Sequence, residues 1–483
     1  MTIRSLLLWC AALAVVCFGP PVRAPVAPEV RSIDRKGNDL FCPPGLARVE
    51  MPKRDAPTLF APLHDLAYAA ADAGPMGCLW LLGAVVFLAI VRGLWSQGVK
   101  GALRRALLAV ALGGPLGLAL LYASCFVDGR VIRLGPEATE WVPASLHNHT
   151  DRSTGLLSPR DLVIWHVKRD FRVLNVSDKN TIKGGLLARD ALARLVEEEG
   201  PLTPPLVVTV GDEWHGQPDI VFVHATREPQ LPPEPERDLT PQERKAHRLR
   251  YLAELAAAVH ADGGALFLAH PWSKVPGEMR LEEMFGAGLD GVEVFNGVIH
   301  GGDSWISTAV DANKALFGVL DYKFGPHVNT LTLLDARLAV TPEGVAKAVR
   351  SGATLVLYAV PRGPRSAAEW KAAQVGLRGA MEGLLSLREV PRARRAVWFG
   401  WGALGILLWW ITTRRDRGLG RAAARTLFFA CAAGELLLLA LVSSQARAAI
   451  GTVPVAVVVA ATAVLAVPLL VASHSLALLE RRA

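Results

Sequence analysis

Between residues 141 and 360, short apolar, β-branched runs alternate with stretches of helical periodicity. That alternation predicts parallel strands crossed by helices. The runs end in WVPASLHNH, FRVLNVSD, PLVVTVGDE, DIVFVHA, GALFLAHP, GVEVFNG and ALFGVLD, and two later extended runs, NTLTLLD and TLVLYAV, close the region. Helices are expected at 159–169, 185–199, 241–261, 278–287, 302–315 and 342–350. Nearly every run stops on a potential metal ligand or polar acceptor: His147 and His149, Asp178, Glu213, His224, His270, Glu293 and Asn296, and Asp321. In a parallel barrel the carboxyl ends of all strands open onto one face, so such residues converge there. A single polar residue at one strand end is an ordinary satisfied group. A succession of them constrains the chain to a fold that gathers them.

His147-Asn148-His149 is the strongest local motif. Residues i and i+2 of a strand point to the same face, so both imidazoles can reach one cation. Glu213 can bridge two metals about 3.5–4 Å apart, which a neutral histidine cannot do. His270 and Asp321 end two further runs, the first stopped by Pro271. None of the six cysteines lies between 141 and 360, so neither a disulfide framework nor a thiolate site is available there. Nitrogen and carboxylate donors without thiolate suit Zn, Mn or Fe better than Ca or Mg. Such ions lower the pKa of water towards about 7, making hydroxide available as a nucleophile.

The flanks are of another kind. The chain is 51% hydrophobic with a mean hydropathy of +0.30, too apolar for an ordinary soluble protein, and the excess is concentrated at the two ends. Six blocks stand out, at 6–18, 78–91, 106–127, 397–412, 427–442 and 453–471. A membrane span needs about 20 apolar residues. The third and sixth fit well, while the second and fourth need flanking residues to complete a crossing. The first is an anchor or a signal peptide, and Pro25 after Val22-Arg23-Ala24 argues against its cleavage. Arg92, Lys100, Arg104 and Arg105, then Arg414, Arg415, Arg417, Arg421 and Arg425, and the terminal Arg481 and Arg482 fall on one side of a six-span arrangement. Taking that side as cytoplasmic makes this a multi-pass inner-membrane protein with its central region outside. Arg388, Arg392, Arg394 and Arg395 are the counter-signal. The net charge of +8 then reads as topology and lipid contact, with no nucleic-acid partner expected. Glu435, inside the fifth block, is expected to serve helix packing or to pair with an arginine. The expected organisation is an N-terminal membrane region at 1–135, a barrel at 136–365, a helical connector at 366–395 and a C-terminal membrane region at 396–483.

LHNHTDRSTGLLSPRDLV, LNVSDKNTI, GDEWHG, LFLAHP, GVEVFNG, and LDYKFGPHVNT followed by TPEGVAKAVRSGATLV resemble, in order, the motifs of the PHP (polymerase and histidinol phosphatase) family of metal-dependent phosphoesterases. Membrane-attached members are reminiscent of its carbaryl-hydrolase-like branch, which cleaves esters or carbamates. The resemblance covers residues 141–360. It implies an α/β fold, a distorted (β/α)7 barrel, with metals at the carboxyl ends of its strands. It also implies one site from His147, His149, Glu213 and Asp321, and a second from Glu213 and His270. The family's further histidine after the glutamate has three candidates here, His215, His224 and, by context, Asp219; His224 is preferred because it ends a strand. His327 is a possible substitute ligand, whereas His166 and His260 lie in expected helices as surface or packing residues. The departures cluster: Lys179 after Asp178, Lys323 after Asp321-Tyr322, and Gly155 stand where the family serves a third metal. Two divalent ions are therefore expected, with Lys179 and Lys323 as point-charge donors to the substrate and Asp178 counted with them. The function implied is hydrolysis of a small phosphoester, ester or amide by metal-activated hydroxide. The alternatives are a catalytically silent sensor or scaffold displayed on the membrane and, more weakly, a transporter.

Overall fold

The computed structural model describes residues 29–51, 60–216, 218–228, 239–274, 279–297, 299–360, 365–366 and 392–413, with isolated positions between 380 and 390. The chain divides into two compact units, Met1–Pro25, Lys53–Val127 and Gly376–Ala483 in one, Val26–Pro52 and Asp128–Val375 in the other. The second unit takes up residues 26–52, which the sequence pattern groups with the N-terminal membrane region.

This second unit is mixed α/β. Its strands are β1 (Glu29–Ile33), β2 (Asp39–Phe41), β3 (Ala47–Glu50), β4 (Val131–Leu134), β5 (Trp141–Ser145), β6 (Val173–Val176), β7 (Val207–Val210), β8 (Asp212–Trp214), β9 (Ile220–Val223), β10 (Ala265–Leu268), β11 (Gly291–Asn296), β12 (Ile299–His300), β13 (Ala315–Val319), β14 (Thr330–Asp335), β15 (Thr354–Val360) and β16 (Arg365–Ser366). One sheet runs β2-β1-β15-β14-β5-β6-β7, the other β16-β12-β11-β10-β9-β8 with β13 against β11, and β3 pairs β4. The parallel pairings expected from the sequence hold for β5-β6, β6-β7, β10-β11 and β11-β13. Strand β9 is the exception. It lies antiparallel to both β8 and β10. Only five residues separate Trp214 from Ile220. Parallel neighbours need a crossover of a dozen residues or more, so this link must be a hairpin.

The two sheets meet at Gly211, between β7 and β8. Gly211 N–H donates to Val176 O at 2.8 Å, and Glu213 N–H to Asp178 O at 3.1 Å, so the β6 edge carries on across the break. A Cβ at Gly211 would lie 2.6 Å from the Asn175 amide and overlap Phe222 O. On the other side, His149 N–H donates to Tyr322 O at 2.9 Å and Tyr322 N–H to His147 O at 3.2 Å. That is one bridge, not a continuous ladder. The described strands are thus paired in two sheets, joined by the bridges between Asn148 and Tyr322 and between Lys179 and Glu213.

Helices cover these sheets. One core joins Leu146, Val173, Val221, Phe267, Phe317 and Val319 to Val345 and Val349 of the helix Pro342–Arg350. The Phe267 and Phe317 ring centroids are 4.4 Å apart with the planes tilted by 34°, a close contact in this core.

In the first unit the long helix Ala61–Ser124 leaves helical geometry at Gly74 and Gly98, where φ is +67° and +65°. Its stretches Ala61–Trp95 and Gly98–Ser124 are 35 and 27 residues, long and apolar enough to cross a membrane. They contain the blocks at 78–91 and most of that at 106–127. Their apolar residues are not core: Phe87 is 63% exposed and Leu118 70%. The two stretches fold back on each other, with Leu82 against Gly113 and Ala102 so close to Gly93 that a Cβ there would overlap it. Small residues permit such approach. The helix Arg392–Thr413 holds the fourth block. Its Arg394, a counter-signal charge, is buried against Asp65 at 3.0 Å, and Trp398 Nε1–H donates to the same carboxylate at 3.0 Å. The blocks at 6–18, 427–442 and 453–471, and Glu435, lie outside the described residues.

Candidate metal centre

Four chain segments stand side by side at the carboxyl ends of the strands, held by backbone hydrogen bonds. Tyr322 lies beside Asn148, Ser177 N–H donates to Asn148 O at 2.8 Å, and Lys179 lies beside Glu213. This brings Asp321 and Lys323 next to His147 and His149, and Asp178 and Lys179 next to Glu213. Asn148 turns the other way, its amide donating to Ser145 O and Asn175 O at 3.0 and 2.9 Å. The alternation leaves both imidazoles on the side of the carboxylates.

His147, His149 and Asp321 present donor atoms within 4.8 Å of one another, as do His147, Glu213 and His270. His147 Nε2 and His149 Nε2 are 3.2 Å apart, and His149 Nε2 is 3.1 Å from Asp321 Oδ1 and 3.3 Å from Glu213 Oε2. The other Glu213 oxygen, Oε1, is 3.0 Å from His270 Nε2. Glu213 therefore faces both groups, one oxygen each. A third group comprises Glu213, His215 and Asp219. Asp219 is fully buried, with Oδ2 3.8 Å from His270 Nε2.

The buried Glu293 holds two of these residues in place. Its Oε1 is 2.6 Å from His147 Nδ1, and its Oε2 accepts from His270 N–H at 2.7 Å. With Nδ1 against Glu293, His147 turns its Nε2 into the cluster. Asn296 Nδ2–H reaches Asp321 Oδ2 at 3.3 Å. His270 and Asp321 both sit at positive φ, +25° and +43°. Such backbone at a non-glycine residue costs of order 1–3 kcal/mol and gathers at functional sites.

Burial pushes the His147 imidazolium down, but Asp321, Glu293 and Glu213 outweigh it and hold its pKa at about 10. Burial lowers His149, and the neighbouring His147 adds to that. Burial opposes, but hydrogen bonding to Glu213 and the charge of Glu293 raise, the pKa of His270. Burial also works against the Glu213 and Asp321 carboxylates, yet the histidines, and Lys323 beside Asp321, keep both below the usual carboxylate range. Donor set and buried position suit a divalent ion bound by nitrogen and oxygen.

Lys179 Nζ is 2.9 Å from Glu213 Oε2, and Lys323 Nζ 2.6 Å from Asp321 Oδ1. Both lysines thus stand on the carboxylates of the cluster. Asp178 has a different use. It accepts from Thr150 N–H, Thr150 Oγ1–H and Ser153 Oγ–H at 2.7, 2.6 and 2.5 Å, fixing the loop that follows His149. A Cβ at Gly155 would overlap His149 O, so this loop has no room there for a side chain.

His224 is not brought to the cluster. Because β9 runs antiparallel to β10, its carboxyl end pairs with Ala265 at the start of β10, opposite the end that carries His270. There His224 faces Glu343 at 3.6 Å. The amino end of β9 faces the cluster, which is where Asp219 and His215 lie. The five-residue link was the available sequence signal. His327 Nδ1 accepts from Arg130 N–H at 3.2 Å and so ties the loop after β13 to β4. The positioning role of Glu293 had no local signal, because it depends on contacts across 146 residues of sequence.

No protein-family model matches the sequence, nor does any curated protein. Solved structures do match. One is a two-domain protein containing a predicted PHP-like metal-dependent phosphoesterase from Bacteroides vulgatus, at 16% identity and a TM-score of 0.33, over 44% of this chain and 64% of that one. This chain therefore spans less than two thirds of that protein. A metal-dependent phosphoesterase described as putative, from Bifidobacterium adolescentis, matches at 18% identity and 0.29, over 43% and 96%. An amidohydrolase from Chromobacterium violaceum matches at 12% and 0.27, over 48% and 96%. Likeness at these values carries no assignment of activity.

Proposed function

We propose that the α/β unit is a metal-dependent hydrolase of the PHP type, a distorted barrel anchored in a membrane and acting on a small phosphoester, ester or amide. The observation that carries this reading is the pair of buried donor groups that share His147, one with His149 and Asp321, the other with Glu213 and His270. Their residues would hold two divalent ions of the Zn, Mn or Fe kind, Asp219 standing beside the second group in place of His224. Bound ions supply Lewis acidity and lower the pKa of water towards about 7. Glu293 holds His147 and His270 in register for the ions. Lys179 and Lys323 have part-exposed ammonium groups on the solvent side of the two carboxylates. There they meet an anionic or carbonyl oxygen and balance negative charge as it grows. The lipid-facing composition of Ala61–Trp95 and Gly98–Ser124 supports anchoring, and the basic link at 92–105 supports an extracytoplasmic α/β unit.

Metal content of the purified full chain tests the reading. About two equivalents of Zn, Mn or Fe are expected, lost in His147→Ala together with hydrolysis of an aryl phosphate or aryl ester. A second reading, a silent sensor or scaffold, is favoured by one observation: both lysines already neutralise the carboxylates a cation would use. Wild-type protein that takes up no Zn, Mn or Fe and hydrolyses neither probe would establish it.

A further inference from the structure

At the amino ends of β5 and β6, away from the metal groups, a surface cavity of about 390 Å³ is lined by Arg48, Arg133, Arg169 and Arg172, with Trp141 on its wall. Only two carboxylates line it, Glu50 and Asp170. Both are engaged by Arg133, Glu50 at 3.0 Å and Asp170 in close contact, and the other terminal nitrogen of Arg133 donates to Lys168 O at 3.3 Å. Arg169 is committed elsewhere, donating to Pro326 O and Trp165 O and stacking on the Trp165 ring at 4.0 Å. The Arg48 side chain has no hydrogen bond or ion pair with a described residue. It is also the direct cross-strand partner of Arg133 in the β3-β4 pair. Arg172 gives Nε–H to Pro205 O at 3.0 Å and lines the cavity. Partial burial lowers its pKa, and the charge of Asp170 only partly opposes this.

We propose that Arg48 and Arg172 form, beside the already engaged Arg133, a binding site for a phosphate-bearing anion. Guanidinium forks match phosphate oxygens in pairs. The phosphate belongs either to a lipid headgroup or to a soluble molecule. The order of the chain favours the headgroup: in sequence, the arginine-bearing strands β3 and β4 stand on either side of the apolar helix Ala61–Ser124. The site is independent of the hydrolase reading, while its lipid source rests on the anchoring reading.

The test uses the full chain in phosphatidylcholine nanodiscs, with and without phosphatidylglycerol, and separately with inorganic phosphate at matched ionic strength. The readout is the thermal midpoint of the wild type and of Arg48→Gln/Arg172→Gln. With phosphatidylglycerol at about five times its Kd, a rise of roughly 2–4 °C is expected in the wild type and none in the variant. A variant-sensitive rise with phosphate alone supports the site and assigns it to a soluble phosphate. Equal responses of wild type and variant in both arms overturn the proposal. Arg48→Gln alone, on an exposed strand face, should match or exceed the wild-type midpoint in neutral lipid; a marked fall would also overturn it. Flotation of the wild type with vesicles reports on anchoring separately.

Discussion

A buried carboxylate near a strand end can bind a cation or can hold the residues that do. Glu293 hydrogen-bonds His147 and His270 and so fits the second use. Glu293→Gln is expected to weaken metal binding about 10–100-fold, measured by chelator competition, while the fold persists. Asp321 combines ligand geometry with a φ of +43°. Replacement by glycine relieves that backbone and replacement by alanine does not. Both variants should lose metal, with Asp321→Gly more stable than Asp321→Ala by about 1 kcal/mol. Equal stabilities would show that the backbone at 321 is unstrained. The His147/His149 pair was legible because strand alternation is local. The choice between His224 and Asp219 was not, because it depends on which way β9 runs.

Elements reveal their limits through close packing. The helix Lys183–Glu199 starts so near the Asp178 carboxylate that a Cβ at Gly184 would overlap it and lie 2.7 Å from Thr150 Oγ1. Gly184→Ala should therefore destabilise the α/β unit by about 1–3 kcal/mol and loosen the loop after His149. Denaturant unfolding, followed by proteolysis at 150–155, checks both effects. The helix Pro241–Ala261, by contrast, was readable at its start: Thr240 and Glu243 form a capping box, and Pro241 takes the first position. Helix positions follow such short-range signals. Strand directions between neighbours follow link length and pairing, which is why seven parallel-looking runs concealed one reversed strand, β9.

At the scale of the whole molecule, His166 is a buried source of acid sensitivity outside the metal groups. Burial, reinforced by Arg169, lowers the His166 pKa to about 3, from 6.5. Between those values the unfolded chain binds a proton that the folded chain does not. This group's contribution is therefore intact above about pH 6.5 and lost as pH falls towards 3. At about pH 5 the loss is about 2 kcal/mol. The midpoint difference between pH 7.5 and 5 should shrink in His166→Leu; an unchanged difference would refute the assignment. The outward topology is checked by reporters fused between 360 and 390, active only outside the cytoplasm. Arg394 should carry little weight in that orientation, because Asp65 neutralises it.

The sequence alone determined the mixed α/β character of 141–360, the apolar flanks and the run of ligand-type residues at strand ends. Each follows from periodicity or composition within a few residues. Only the tertiary structure decided which of those residues meet. Strand reversal carried His224 away and turned Asp219 inward, Glu293 became a support for two histidines, and Lys179 and Lys323 came to rest on Glu213 and Asp321. These outcomes depend on sheet pairing between segments far apart in the chain, where the energy of contact is set by neighbours that local pattern does not name.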